Sequence, residues 1–93
     1  QEQYLKLNLE AAKEAARQIR LRNLSGIILI DFINLSGQED RELLLHTMRD
    51  LTAADPVKTE VIDLTKLDLM EITRKKGRPP LYEAIRKKER SNE

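Results

Sequence analysis

The fold of this chain is decided by one stretch of sequence, GIILIDFI at residues 26–33. Its apolar run from Ile27 to Ile30 has no alternation, which is typical of a strand that is buried on both faces and covered by helices. A glycine precedes the run and turn-forming residues follow it, so a central strand is expected over 27–32. Asp31 would then lie at the carboxyl end of a buried strand.

Helices are predicted on both sides of this strand. Apolar residues recur every three or four positions before it, which predicts a helix over 8–23 with Asn8 as its N-cap. The sequence SGQE at 36–39 matches a capping box and predicts a second helix over 37–54, ended by Pro56. The inner faces of the two helices are expected to consist of Leu5, Leu9, Ala12, Ala16 and Ile19, and of Leu44, Met48 and Leu51.

The C-terminal half supplies a second strand and one ambiguous segment. Residues 57–64 are rich in β-branched side chains, and strand, helix and strand together predict a right-handed βαβ unit with parallel pairing. Residues 69–74 suit either a third strand or a helix, and a basic helix is predicted over 80–92. We therefore predict one α/β domain over residues 1–93, in the order α-β-α-β-(β)-α. Its core would span 5–75, with helices packed on a small mixed sheet.

Length and composition exclude several classes of function. A chain of 93 residues allows one domain, and the absence of cysteine excludes disulfides, thiolate zinc sites and a cysteine nucleophile. No apolar run is long enough for a membrane span, and no P-loop or G-x-G-x-x-G pattern is present. The single histidine, His46, lies at helical spacing from Glu42 and Asp50, which predicts an exposed ion pair rather than a general base.

The net charge of +1 combines an acidic body with a basic tail. Residues 74–93 contain eight basic and three acidic side chains. Such a tail indicates a polyanion partner, usually nucleic acid, and a simply solvated tail is the alternative. Arg74, Lys75, Lys76 and Arg78 are the candidate phosphate contacts.

Asp31 is the candidate metal-binding residue. A carboxylate at the end of an apolar strand is costly to bury without a partner, and ligands of open α/β sheets gather at the carboxyl ends of strands. Mg²⁺ typically takes one or two carboxylates in such a place. Parallel pairing would bring Asp63 close to Asp31 and create a metal-assisted hydrolase site. The alternatives are that Asp31 caps the loop near 34–37 and that Asp63 only begins a turn.

Four stretches of the sequence resemble the ribonuclease E/G family. They follow in order within residues 4–82 and read NLEAA at 8–12, ARQIRLRNL at 16–24, GIILIDFI at 26–33 and MEITRK at 70–75. Members of that family are bacterial endoribonucleases that cut single-stranded RNA, usually in A/U-rich stretches, with a preference for 5′-monophosphorylated ends. The resemblance implies a DNase I-like catalytic subdomain.

The resemblance also implies roles for individual residues. In the family two aspartates bind a catalytic Mg²⁺, and one of them corresponds to Asp31. The metal would orient a water molecule and stabilise charge on the scissile phosphate. Lys58 stands where the family tends to have an arginine that helps to recognise the 5′ phosphate, while Asp63 has no acidic counterpart. Asn34 and Asp68 replace a usual aspartate and a usual glycine.

The sequence also departs from the family pattern. The second metal aspartate of the family lies in an Asp-x-Asn stretch upstream of the counterpart of Asn8, and its zinc-binding cysteines lie downstream of the Thr-Arg-Lys stretch; this sequence has neither feature. An S1 RNA-binding domain and a 5′ sensor are absent at this length as well. We therefore expect a fragment of the catalytic core of a larger, cytoplasmic bacterial enzyme.

The expected function is part of a Mg²⁺-dependent endoribonuclease of RNA processing and decay, the isolated fragment being inactive. The expected partners are RNA, the other domains of the parent enzyme and, through an exposed sheet edge, a second copy of the chain. The alternative is a non-catalytic module of the same fold that binds RNA or a protein.

Overall fold

The computed structural model describes residues 2–76, in which two helices pack on one face of a three-stranded sheet. The elements are α1 (Glu2–Leu21), β1 (Gly26–Asp31), α2 (Gly37–Ala53), β2 (Thr59–Leu64) and β3 (Leu69–Arg74). The predicted α/β class is confirmed, and the ambiguous segment at 69–74 is a strand. The basic helix predicted over 80–92 lies outside the described residues, and the DNase I-like assignment stays a prediction.

Helix α1 differs from its predicted bounds at both ends. It begins at Glu2, so Asn8 is an interior, buried residue and not the N-cap. It ends at Leu21 because Asn23 takes a left-handed conformation with φ 49°. The backbone N–H of Leu24 then donates to the carbonyl of Ile19 at 3.0 Å, which satisfies one of the last carbonyls of the helix.

Helix α2 matches its predicted span closely, but the predicted capping box is not formed. Ser36 is the N-cap residue by position, yet its side chain makes no capping hydrogen bond. Leu44 and Met48 form the inner face of the helix, as the apolar spacing predicted. Within residues 2–76, no helix combines the length and the hydropathy needed to cross a membrane.

The sheet topology corrects two predictions. The strand order is β1-β3-β2, and β3 runs antiparallel to both neighbours, so the described sheet is fully antiparallel rather than mixed. The predicted parallel pair of β1 and β2 is wrong because β3 lies between them. Strand β1 is therefore an outer strand of the described sheet and not its centre. The central position is occupied by β3, which comes last of the three strands in the sequence.

One face of the sheet packs on the helices and the other face is open. The core between the layers consists of Ala12, Ala16, Ile19, Phe32, Leu44, Met48, Val61, Leu64, Met70 and Ile72. On the opposite side, which we call the open face, Ile27, Leu29 and Ile62 are 73%, 58% and 45% exposed. The prediction that β1 is buried on both faces is therefore wrong for the described residues. An apolar run shows which side chains avoid water, but it does not show what covers them.

Candidate functional site

Asp31 occupies the last position of β1, opposite Leu69 of β3. Its side chain is exposed, whereas the next residue, Phe32, is buried in the core. The Asp31 carboxylate makes no hydrogen bond or ion pair with any other residue within 2–76. The alternative interpretation, in which Asp31 caps the loop near 34–37, therefore has no support among residues 2–76.

The backbone that follows Asp31 is fixed by the side chain of Asn8. The Asn8 amide nitrogen donates to the Ile33 carbonyl at 2.7 Å, and its amide oxygen accepts from the Ile33 N–H at 3.1 Å. Asn8 is only 2% exposed. This side chain therefore takes the place of a neighbouring strand and holds the chain two residues beyond Asp31 against α1.

The β2–β3 turn also contacts the backbone that follows Asp31. The Phe32 N–H donates to the carbonyl of Asp68 at 3.0 Å, and Asp68 has a φ of 63°. Glycine adopts this left-handed conformation without steric cost, so the position suits glycine as well as aspartate. The guanidinium of Arg41 bonds the Asp68 carboxylate at 2.6 Å and also donates to the carbonyls of Leu64 and Thr65. Helix α2 is thereby joined to the turn that contacts the end of β1.

The structure does not bring Asp63 next to Asp31. Asp63 pairs with Glu71 of β3, and on the other side of β3 Glu71 pairs with Leu29 of β1. The two aspartates are therefore two strands apart and also displaced along the sheet, because parallel pairing does not occur. No group of three or more His, Asp or Glu side chains with metal-binding geometry occurs within residues 2–76. The role of Asp31 as a metal ligand stays a prediction.

Two of the candidate RNA contacts lie together at the opposite end of the sheet. The N–H of Lys75 donates to the carbonyl of Lys58 at 3.0 Å, and both side chains are exposed. They line a groove of about 290 Å³ with Gly26, Ile27, Glu60, Thr73 and Arg74. Lys76 follows as an exposed residue, and Arg78 lies outside the described residues. Since Gly26 and Asp31 are the two ends of β1, this basic pair lies roughly 17 Å from Asp31 at ~3.4 Å per residue.

Arg74 has a structural role in the described fold. Its guanidinium forms a two-pronged ion pair with Asp55 at 2.8 and 3.1 Å, and the two side chains are 3% and 2% exposed. The same guanidinium donates to the side chain of Asn23 and to the Leu24 carbonyl, both at 2.9 Å. These hydrogen bonds from Arg74, opposed by burial, hold the pKa of Asp55 below its usual range. With four of its five N–H donors engaged and its side chain buried, Arg74 is not presented to RNA in this arrangement.

His46 has the surroundings that its spacing predicted. Its Nε2 atom lies 3.3 Å from an Asp50 carboxylate oxygen on the exposed side of α2. The sequence interpretation did not identify the roles of Asn8 and Arg41. A signal for Asn8 was present, because a polar residue there continues the apolar spacing toward Ala12 and Ala16. Arg41 gave no such signal, since its partners are 23–27 residues away.

These features define a small two-layer α/β unit with an exposed strand-end carboxylate on a firmly held backbone. The Ribonuclease E/G family model matches residues 1–77, and the chain belongs to the ribonuclease E/G family. It is 46% identical to Ribonuclease G of Escherichia coli (strain K12) over 78 residues, which are 84% of this chain and 16% of that protein.

Other similar proteins also carry ribonuclease E or E/G names. Ribonuclease E of Nostoc sp. is 41% identical over 76 residues, which are 82% of this chain and 11% of that protein. A Ribonuclease E/G-like protein of Pyropia yezoensis is 39% identical over 84 residues, which are 90% of this chain and 16% of that protein. The chain thus spans 11–16% of the length of these three relatives.

Proposed function

We propose that this chain is part of a Mg²⁺-dependent endoribonuclease that cleaves single-stranded RNA, and that Asp31 is one ligand of the catalytic metal. The single observation that supports the proposal best is the arrangement at the end of β1. The Asp31 carboxylate points into solvent, while the backbone after it is bound by Asn8 and by Asp68. A ligand-binding side chain needs such support, because small displacements weaken a preorganised site.

The residues present fit part of a magnesium site. Mg²⁺ prefers oxygen ligands and commonly keeps several waters beside one or two carboxylates, so an exposed Asp31 suits one position of its shell. Bound there, the ion would orient water and stabilise the charge that develops on a scissile phosphate. The role of this chain is to hold the carboxylate in place. Asp63 lies two strands away from Asp31 and does not supply a second carboxylate to this position.

Lys58, Lys75 and Lys76 are the proposed RNA contacts. They are exposed and lie at or beside the groove at the far end of the sheet from Asp31. Their distance from Asp31 assigns them to flanking phosphates rather than to the phosphate that is cut. Lysine offers a point charge, so these contacts add affinity without the bidentate geometry that arginine would give.

The metal assignment is tested by a Mg²⁺ titration of the whole chain, followed by backbone amide NMR. We expect shifts at millimolar Mg²⁺ that cluster at residues 31–33 and at Asp68, and we expect Asp31→Asn to abolish them. Asp50→Asn is the matched control, because Asp50 is an exposed aspartate that contacts only His46 among the described side chains. Equal shifts in the wild type and in Asp31→Asn would contradict the assignment.

The activity is tested in a longer chain that includes an upstream Asp-x-Asn segment. Asp31→Asn should slow cleavage of single-stranded RNA by at least ~10²-fold, the scale of losing one preorganised electrostatic group. The isolated 93-residue chain should cleave RNA little or not at all. Undiminished cleavage by the longer Asp31→Asn chain would refute the catalytic role. RNA binding without cleavage by the longer wild-type chain would favour the non-catalytic module.

A further inference from the structure

The β2–β3 turn contacts the backbone one residue beyond the candidate metal ligand. It is closed by the Thr65 N–H, which donates to the Leu69 carbonyl at 2.8 Å, and by the Asp68 N–H, which donates to the Thr65 carbonyl at 3.1 Å. From the turn, the Asp68 carbonyl accepts the Phe32 N–H at 3.0 Å, and Phe32 directly follows Asp31 in the chain. The conformation of the turn therefore affects the position of the Asp31 carboxylate.

Arg41 of α2 is the side chain that fixes this turn. One of its guanidinium nitrogens donates to the Asp68 carboxylate at 2.6 Å, and another donates to the carbonyls of Leu64, at 3.3 Å, and of Thr65. The guanidinium thus spans the turn from the last residue of β2 to the residue before β3. The side chains of Arg41 and Asp68 are only 20% and 24% exposed, so solvent screens their ion pair less than a surface pair.

The backbone of Asp68 depends on such contacts. Its φ of 63° lies in the left-handed region, which residues other than glycine adopt infrequently. A conformation of this kind persists where the surrounding structure determines it. Arg41 holds the side chain of Asp68, while Phe32 bonds its carbonyl. Loss of the Arg41 contact should therefore loosen the contact with Phe32.

We propose that Arg41 is a positioning residue for Asp31. It holds the β2–β3 turn, the turn holds the end of β1, and the Asp31 carboxylate is thereby kept in place for Mg²⁺. The inference rests on the proposed function, in which Asp31 is a metal ligand. Residues that orient a metal ligand without touching the metal commonly contribute about 10–100-fold to its affinity. Arg41 acts through Asp68 and Phe32, so we expect the lower end of that range.

The charge of Arg41 alone predicts the opposite effect. A guanidinium near a metal site repels Mg²⁺, so removal of that charge would strengthen Mg²⁺ binding if electrostatic repulsion were its main effect. Positioning predicts that the same change weakens Mg²⁺ binding, because the carboxylate loses its support. The direction of the change in affinity therefore separates the two effects.

The test is a Mg²⁺ titration of the full chain by backbone amide NMR, in which Arg41→Gln is compared with Thr52→Val. Thr52 lies near the other end of α2, and its buried hydroxyl donates to the Met48 carbonyl at 2.9 Å, so its loss destabilises the fold without touching the turn. In Arg41→Gln, the Mg²⁺ concentration at half-maximal shift of residues 31–33 should rise about 10-fold. In Thr52→Val it should stay unchanged. Unchanged or tighter binding in Arg41→Gln would overturn the proposal, as would equal weakening in both variants.

A metal-free measurement distinguishes failure of this proposal from failure of the proposed function. The rate of hydrogen exchange at the Phe32 amide, divided by the rate at Ile72 in the centre of the sheet, reports order at the end of β1. The ratio should rise several-fold in Arg41→Gln but not in Thr52→Val, because a general loss of stability affects both amides. An unchanged ratio in Arg41→Gln would overturn the proposal. A raised ratio without Mg²⁺-dependent shifts in the wild type would support the positioning of Asp31 by Arg41 and overturn the metal assignment.

Discussion

The buried ion pair between Arg74 and Asp55 should be a large single contributor to the stability of the described fold. Arg74 makes four side-chain hydrogen bonds that connect the end of β3 to the loops after α1 and α2. Arg74→Met fills similar space but leaves the carboxylate of Asp55 buried without its cation. Breaking a buried pair from one side costs about 3–5 kcal/mol. The free energy of unfolding should fall by that amount.

Urea unfolding followed by far-ultraviolet circular dichroism measures this loss. A small domain has a denaturant dependence of about 1–3 kcal/mol per molar urea, so the midpoint should fall by at least ~1 M. A chain of this size has a total stability of about 5–14 kcal/mol, so the loss in Arg74→Met is a large share of the total. The double variant Arg74→Met with Asp55→Leu should recover part of the loss, because no unpaired charge remains.

The matched control is a lysine in an exposed ion pair. Lys58 lies 3.3 Å from Glu60, and both side chains are more than half exposed. Lys58→Met should therefore change stability by no more than about 1 kcal/mol. If Arg74→Met and Lys58→Met had the same urea midpoint, the ion pair would contribute little, and the structural role assigned to Arg74 would be refuted.

Two further predictions concern pH and the Asn8 contact. The pKa of Asp55 is lowered in the folded chain by the hydrogen bonds from Arg74, so below its unfolded value of ~3.9 the unfolded state binds more protons. The contribution of Asp55 to stability should be fully present above that pH and should decrease as the pH falls toward the folded pKa. The urea midpoint should therefore fall less between pH 6 and pH 3 in Asp55→Asn than in the wild type. Asn8→Ala leaves the N–H and carbonyl of Ile33 without their partner, which should cost about 1–3 kcal/mol and accelerate hydrogen exchange of the Ile33 amide. Lys13→Ala, at an exposed position of the same helix, should leave that exchange rate unchanged, and equal rates in the two variants would contradict the role of Asn8.

Local patterns predicted the elements better than their arrangement. The apolar spacing around Ala12 and Leu44 identified both helices and their buried faces, because helical periodicity is a property of adjacent turns. The position of β3 between β1 and β2 depends on which strand edges pair, and no local pattern of residues contains that information. The same limit applies to Arg74, whose basic neighbours indicated a phosphate contact. Its actual partner, Asp55, is 19 residues away in the sequence.

The contrast between Asp31 and Arg74 shows why charge alone did not reveal function. Arg74 is buried and its side-chain bonds join three parts of the fold, so its charge serves the structure. The Asp31 side chain has no partner among residues 2–76, and the contacts at the end of β1 are made by the backbones of Phe32 and Ile33. Asp31→Asn should therefore leave the fold unchanged, because it removes no bond that the described residues make. A loss of Mg²⁺ binding in that variant could then be attributed to the carboxylate itself. A fall in the urea midpoint of Asp31→Asn comparable to that of Arg74→Met would show instead that Asp31 serves the fold.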